Sequence, residues 1–305
     1  MRQGTAVSIG TFDGVHVGHQ AILRELELQA DTYALQSLVY AFSVPPRWAM
    51  CGGMNRYLLL PTSLKLELLG RSVSIVHPAS FEDVRSMSPA KFIEQVLIGE
   101  LNARVIVEGE AFRFGRDRMG DLDTLRSLGT EMGLEVVSVP PIIEGDTTVS
   151  STRIRESVRS GDFHTAGLCL GRPPLVLGRV VRGDQIGGTL GFPTANLEVD
   201  PHILLPRPGI YLIHAYGESI RAAGLLYIGS RPTLGGGCLR CEVHLLDFPE
   251  RSLYGAVLEI HLLEEIREDR AFPSLDSLRS QIEMDVTSAR RLLAGYPMKG
   301  ERIGS

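Results

Sequence analysis

A chain of 305 residues suggests about two domains, and 44% apolar residues is enough for ordinary buried cores and too many for a disordered chain. The net charge of −5 gives no global attraction to nucleic acid or to an anionic membrane, so phosphate binding must be local, through loops and helix ends. No apolar run approaches the roughly 20 residues that a membrane span requires.

The first half alternates between strand and helix periods. Val7-Ser8-Ile9-Gly10 reads as a strand, and 18–30 as a helix with Ile22, Leu23 and Leu26 on one face. A strand over 37–42 follows. Thr62 can cap a short helix that carries Leu64, Leu68 and Leu69 and stops at Gly70; 73–76 is the next strand. Ser88-Pro89 is an N-cap followed by proline at the first helical position, opening a helix with Phe92, Val96 and Leu97 inward. A buried strand over 104–107, a helix over 121–132 closed by Gly133, and a strand over 134–139 complete the pattern. Such alternation predicts a mostly parallel sheet with helices on both faces and ligands beyond the carboxyl ends of its strands.

The pattern changes near Gly171-Arg-Pro-Pro174. Short β-rich runs at 175–182, 209–216, 222–228, 239–247 and 254–263 suit a small antiparallel barrel. One amphipathic helix follows over 274–293, with Leu275, Leu278, Ile282, Val286, Ala289 and Leu293 at helical spacing. The expected division is 1–170, 171–295 and a tail over 296–305 whose last residues, from 299, fray.

The four cysteines lie at 51, 169, 238 and 241. Cys238 and Cys241 have zinc-knuckle spacing, yet no second pair or nearby His pair completes a tetrahedral site, so two reduced thiols on a strand is the simpler reading. Met1 leads at once into a strand-like run, leaving no room for a signal peptide. A cytoplasmic protein is expected.

Gly10-Thr-Phe-Asp-Gly-Val-His-Val-Gly-His19 lies between the first strand and the first helix. Gly10 and Gly18 let the backbone approach an anion, and N–H groups at the helix start, with Phe12 and Asp13 in the same turn, make a nucleotide cradle. His16 and His19 fall on one side of that turn and can donate hydrogen bonds as charge builds on an α-phosphorus. An isolated HxGH would read as two surface histidines; its place directly after a strand favours the phosphate reading. Ser150, Ser151 and Thr152 can cap the helix that follows Val149, and Arg155 can grip phosphate oxygens with two prongs.

In the second half, Gly183 through Gly191 is glycine-rich and can lie along phosphates, or form a flexible hairpin. Thr194 and Asn196 offer hard oxygen ligands of the kind Mg²⁺ takes when phosphates and water supply the rest. Alternation along Cys241-Glu-Val-His-Leu-Leu246 puts Glu242 and His244 on one face of a strand, and an acidic residue there is either exposed or functional.

Taken together the segments resemble the HxGH nucleotidyltransferases and, more narrowly, the bacterial bifunctional riboflavin kinase/FMN adenylyltransferases. The resemblance includes Gly109-Glu-Ala-Phe-Arg-Phe-Gly115, Leu190-Gly-Phe-Pro-Thr-Ala-Asn196, Ile228-Gly-Ser-Arg-Pro-Thr233 and Glu242-Val-His-Leu-Leu-Asp247. It implies an α/β Rossmann-like adenylyltransferase domain followed by an all-β six-stranded kinase barrel with a C-terminal helix. Its implied substrates are riboflavin, FMN and ATP, with Mg²⁺ held at Thr194 and Asn196 and Glu242 as the base. Small molecules are then the partners, with neither nucleic acid nor membrane, and a weak homo-oligomer stays open. His244 is read as structural, while Arg231 fits either a ligand contact or a turn.

The sequence departs from the family mainly in the first domain. Ser43-Val-Pro-Pro46 replaces Glu-Pro-His-Pro, and Ala111 stands where Asp or Asn precedes Phe-Arg-Phe-Gly. In the second, Gly188 replaces a common basic residue and Tyr227 an Asn. A kinase with a weakly active or inactive nucleotide-binding first domain is the second reading. A third, an RNA-binding protein with a relic HxGH, needs a basic surface that the net charge of −5 does not support.

Overall fold

A computed structural model describes residues 4–45, 48, 56–183, 191–230, 239–249, 252–298 and 302–303. Cys51, Gly188, Arg231 and Cys238, together with Pro46 and most of the glycine-rich run before Gly191, lie outside the described residues. The chain packs as two compact units, Met1–Met54 with Thr62–Ser151, and Asn55–Pro61 with Thr152–Ser305.

The first unit is built on five parallel strands in the order β3-β2-β1-β4-β5. They are β1 (Thr5–Gly10), β2 (Gln36–Phe42), β3 (Ile75–Ala79), β4 (Ala103–Gly109) and β5 (Glu135–Val139). The chain runs outward from β1 through β2 to β3, then returns to the other side of β1, so the direction reverses between β1 and β4. Connecting helices begin where the sequence has caps. Ser88 Oγ accepts from the Lys91 N–H at 3.3 Å with Pro89 behind it, and Asp121 Oδ1 accepts from the Thr124 N–H at 2.9 Å. From Phe92 to Glu100 the helix widens to π geometry, with Phe92, Val96 and Leu97 all buried in the core that also holds Val7, Ile9 and Ile106. The third strand runs two residues later than 73–76 predicts, and a small hairpin, β6 (Ile143–Glu144) with β7 (Thr147–Thr148), follows the sheet.

The second unit holds a closed barrel of six antiparallel strands in the order β10-β11-β12-β9-β8-β13. These are β8 (Leu175–Val181), β9 (Ala195–Val199), β10 (Gly209–Gly217), β11 (Ile220–Ser230), β12 (Leu239–Leu245) and β13 (Val257–Glu268). Period-2 patterning shows five of them; β9 alternates regularly, Ala195-Asn-Leu-Glu-Val199, but at five residues it is too short to stand out. The interior is filled by alternate residues, including Leu197, Tyr211, Ile213, Leu226, Val243, Cys241 and Ile260. The helix Phe163–Leu170 packs here too, through Phe163 against Tyr211. This helix belongs to the second compact unit, which begins at Thr152 in this part of the chain.

The helix Leu275–Leu292 starts at a capping box on Ser274. Its buried line is Gln281, Asp285 and Ala289, whereas Leu275, expected inward, is 65% exposed. The tail also differs from expectation. The Ile303 N–H donates to both oxygens of Glu259, at 2.9 and 3.1 Å, and Arg221 donates to the Met298 carbonyl. Glu259 is fully buried and needs such donors, so this part of the tail is fastened to the barrel.

Candidate active sites

In the first unit the loop after β1 carries Phe12 and Val15 in the left-handed region, a strained setting for both residues. His16 caps the helix Val17–Thr32: its Nδ1 accepts from the His19 N–H at 3.3 Å. A neutral His16 therefore carries its proton on Nε2. The two imidazoles stack with centroids 3.5 Å apart and planes at 16°, and the Phe12 ring lies 5.1 Å from His19. A Cβ on Gly18 would stand 3.2 Å from the His16 ring, so glycine leaves room for the stack. Burial, then His16, then Lys65 hold the His19 imidazole well below its usual pKa. Among the described residues, its buried Nδ1 has no hydrogen-bond partner.

The backbone around these rings is pinned from several sides. The Ser151 hydroxyl donates to the carbonyl of buried Asp13 at 2.9 Å, which ties together the two motifs singled out in the sequence. Gly10 closes β1 beneath Phe12, its absent Cβ 3.1 Å from that ring. Lys65, only 2% exposed, donates to the carbonyls of Phe42 and Ser43 at 2.6 and 2.9 Å. Burial lowers its pKa to about 8 against the pull of Asp13. The sequence reading passed over Lys65, though its place beside Leu64 and one turn before Leu69 was the available signal.

Arg155 is buried in the second unit. Its Nε donates to the Tyr57 carbonyl at 2.9 Å and its guanidinium lies 4.0 Å from the Tyr57 ring centroid. Thr152 is exposed on the same helix, Ser151–Ser160.

On the barrel, Glu242 projects outward from β12 while Val243 points into the core. Register sets Asn196 of β9 on one side of Glu242 and Tyr227 of β11 on the other; Tyr227 pairs with Ile210, and Ile210 with Arg267. One belt of side chains thus crosses five strands. The Thr194 hydroxyl donates to Glu242 Oε2 at 3.1 Å, and Arg240 lies 3.5 Å from Oε1. Asn196 thus stands within a strand, not in a loop. A Cβ on Gly183 would lie 2.0 Å from the Asn196 side-chain nitrogen, so a side chain there would displace it. Gly191, at φ +89°, needs glycine for its backbone.

The belt is one wall of a cavity of about 360 Å³, within the range of small-molecule sites. Phe192, Leu225 and Ile210 give it apolar surface, and Leu278 and Ile282 close it from the C-terminal helix. Arg267 binds Asp285 through two nitrogens at 2.8–3.0 Å, and Gln281 donates to Asp285 at 2.7 Å. Burial, then Asp269, pushes the Tyr227 phenol up to about 12. His244 also faces the cavity, its Nδ1 2.9 Å from the Pro193 carbonyl. Arg267, Asp269 and Asp285 were not anticipated. The spacing of Gln281, Asp285 and Ala289 marked a second inward stripe, which the leucines beside it obscured.

Two family models divide the chain: FAD synthetase matches residues 1–153 and riboflavin kinase residues 170–293. A bifunctional riboflavin kinase/FMN adenylyltransferase of Haemophilus influenzae is 35% identical over 293 residues, covering 94% of each chain. Its Escherichia coli K12 counterpart is 34% identical, covering 95% of this chain and 93% of its own. The chain belongs to the bifunctional riboflavin kinase/FMN adenylyltransferase family. A crystal structure described as a macrolide-efflux protein from Streptococcus pneumoniae superposes with a TM-score of 0.85 at 28% identity, over 95% of both chains. Among the described residues no helix is long and apolar enough to cross a membrane. Against the family pattern, Ala111 sits exposed on the turn after β4, and the Ser43 carbonyl, where the family has a glutamate, is held by Lys65 and Thr62.

Proposed function

We propose that the barrel phosphorylates riboflavin to FMN and that the first unit adenylylates FMN to FAD, each with ATP. The observation that supports this best is the Thr194 hydroxyl 3.1 Å from Glu242 on the wall of a largely apolar cavity. A flavin ring suits the apolar surface, and a ribityl chain would bring its 5′-hydroxyl to Glu242. That oxygen bonds to the γ-phosphorus, the bond to ADP breaks, and the proton passes to Glu242.

Thr194 and Asn196 offer the few hard oxygens that Mg²⁺ needs when phosphates and water complete its shell. Mg²⁺, when bound, would neutralise charge on the transferred phosphoryl group. Thr194 also fixes the rotamer of Glu242, and Gly183 and Gly191 let the preceding chain approach phosphates.

In the first unit an FMN phosphate oxygen attacks the α-phosphorus of ATP and pyrophosphate leaves. The nucleophile is already anionic, so the site needs donors more than a base. His16 offers its Nε2–H, while a neutral His19 supplies one N–H without placing a positive charge against its stacked neighbour. Gly10, Phe12, Asp13, Gly18 and Ser151 are assigned to the nucleotide; the contacts expected of Thr152 and Arg155 are not carried forward, because both belong to the second unit and Arg155 is engaged by Tyr57. The reading places the enzyme in the cytoplasm, where thiols such as Cys169 and Cys241 stay reduced.

The test is one preparation given two mixtures, riboflavin with ATP and Mg²⁺, and FMN with ATP and Mg²⁺. FMN with ADP is expected from the first, FAD with pyrophosphate from the second. FMN formation without FAD would confine catalysis to the barrel.

A further inference from the structure

Strand β1 pairs with β2 through its last residue, Gly10 against Ala41, and β4 pairs with β5 through Gly109 against Val139. Between themselves, β1 and β4 pair only from Thr5 to Val7, with a register shift after Thr5, and part beyond Val7 and Ile106. The parting lies where the sheet's order reverses, at the carboxyl ends of the strands, which is where open α/β sheets take their ligands.

Opening the ladder there strands a buried donor. Ile9 is 4% exposed, and its N–H, on the last turn of chain before the His-bearing loop, no longer meets the backbone of β4. The Glu108 side chain reaches across instead. Its Oε1 accepts from the Ile9 N–H at 2.5 Å, with the Ser8 hydroxyl 3.4 Å away. Glu108 is itself only 3% exposed. A carboxyl at this depth is costly, and a strand residue facing an apolar core has no packing reason to be acidic.

We infer that Glu108 is a positioning residue for adenylyl transfer, a wedge whose carboxyl oxygen replaces the missing β4 acceptor and fixes the direction in which residues 10–19 leave the sheet. The inference rests on the reading of the first unit as the adenylyltransferase. What the wedge supplies is an acceptor at a set distance. Burial pushes the Glu108 carboxyl well above the usual carboxylate range, and a protonated carboxyl still accepts through its carbonyl oxygen. Glutamine keeps the shape and the carbonyl acceptor of that state, whereas methionine fills similar space with only a weak thioether acceptor.

Glu108→Met should lower kcat for FAD formation about tenfold or more while KM for ATP stays within about threefold, because misaimed imidazoles lose transition-state contacts. Glu108→Gln should stay within about threefold of wild type in kcat, a rescue that a charge-based role would not give. Riboflavin phosphorylation should be unchanged in both. A second readout needs no catalysis: the Ile9 amide proton, read by NMR in the full chain, should resonate downfield in wild type and Glu108→Gln. It should move upfield in Glu108→Met, or, if that variant does not fold, in Glu108→Asp, whose shorter side chain cannot span the gap. Wild-type kcat in Glu108→Met, equal loss in Gln and Met, or an Ile9 amide indifferent to residue 108 would each overturn the inference. A wild-type enzyme that makes no FAD would instead remove the reading beneath it, and the amide would still report whether the wedge exists.

Discussion

The Thr194 hydroxyl donates to the Glu242 carboxylate at 3.1 Å, across the β9–β12 edge where Asn196 and Glu242 are register partners. Removing that donor should free the carboxylate to turn away from the reacting hydroxyl. Thr194→Ala is expected to slow FMN formation about ten- to a hundredfold, the usual cost of one hydrogen bond to a charged group. Thr194→Ser, which keeps the hydroxyl, should recover most of the rate. Steady-state kinetics with riboflavin decides it; equal rates in both variants would leave the methyl group, and not the hydroxyl, as the part that matters.

Of the two activities, only adenylyl transfer should depend on the stacked imidazoles. His16→Ala removes a helix cap, a ring contact and an Nε2–H donor together, and should cut FAD formation from FMN by about a hundredfold or more with FMN formation untouched. Because burial and His16 keep His19 neutral, the FAD rate should show no acid limb near the ordinary imidazole value of about 6.5. A limb there would mean that one of the rings titrates as in water.

The ion pair of Arg267 and Asp285 joins β13 to the C-terminal helix at the barrel cavity. Asp285 is almost fully buried, so Asp285→Ala leaves a guanidinium without its partner and should cost about 3 kcal/mol of stability. The same variant should raise KM for riboflavin more than it lowers kcat. Thermal melts and kinetics check both halves; replacing the pair together, Arg267→Met with Asp285→Leu, should restore much of the stability but not the KM.

Glu108 gives a pH signature of its own. Its folded-state carboxyl sits above the unfolded value, so its stabilising contribution is complete below about pH 4.3 and is lost as pH rises through the folded value. Glu108→Gln removes that loss. The variant should melt above wild type at about pH 8, with the gap closing as pH falls towards 5. A gap independent of pH would show that the carboxyl is not held protonated.

Much of the candidate sites was legible where chemistry and local pattern coincide. His16 and His19 follow a strand and open a helix, and Glu242 interrupts an alternating strand, so each announced itself. Lys65, Glu108 and Asp285 did not, because their function is set by partners far along the chain. Lys65 meets Ser43, Glu108 meets Ile9, and Asp285 meets Arg267. In sequence each is one charge among mixed neighbours, and only the tertiary register says which backbone group or cation it meets. β9 escaped for a different reason: its alternation is regular, but five residues directly after a glycine-rich stretch are too few to stand out as a strand.

The most direct test of the account is Glu242→Gln, assayed in one preparation for both steps. Its shape and its bond from Thr194 persist, but it cannot take the proton from the ribityl hydroxyl. FMN formation should fall by about a hundredfold or more while FAD formation from supplied FMN continues at the wild-type rate. A variant that phosphorylates riboflavin as fast as the parent enzyme would contradict it.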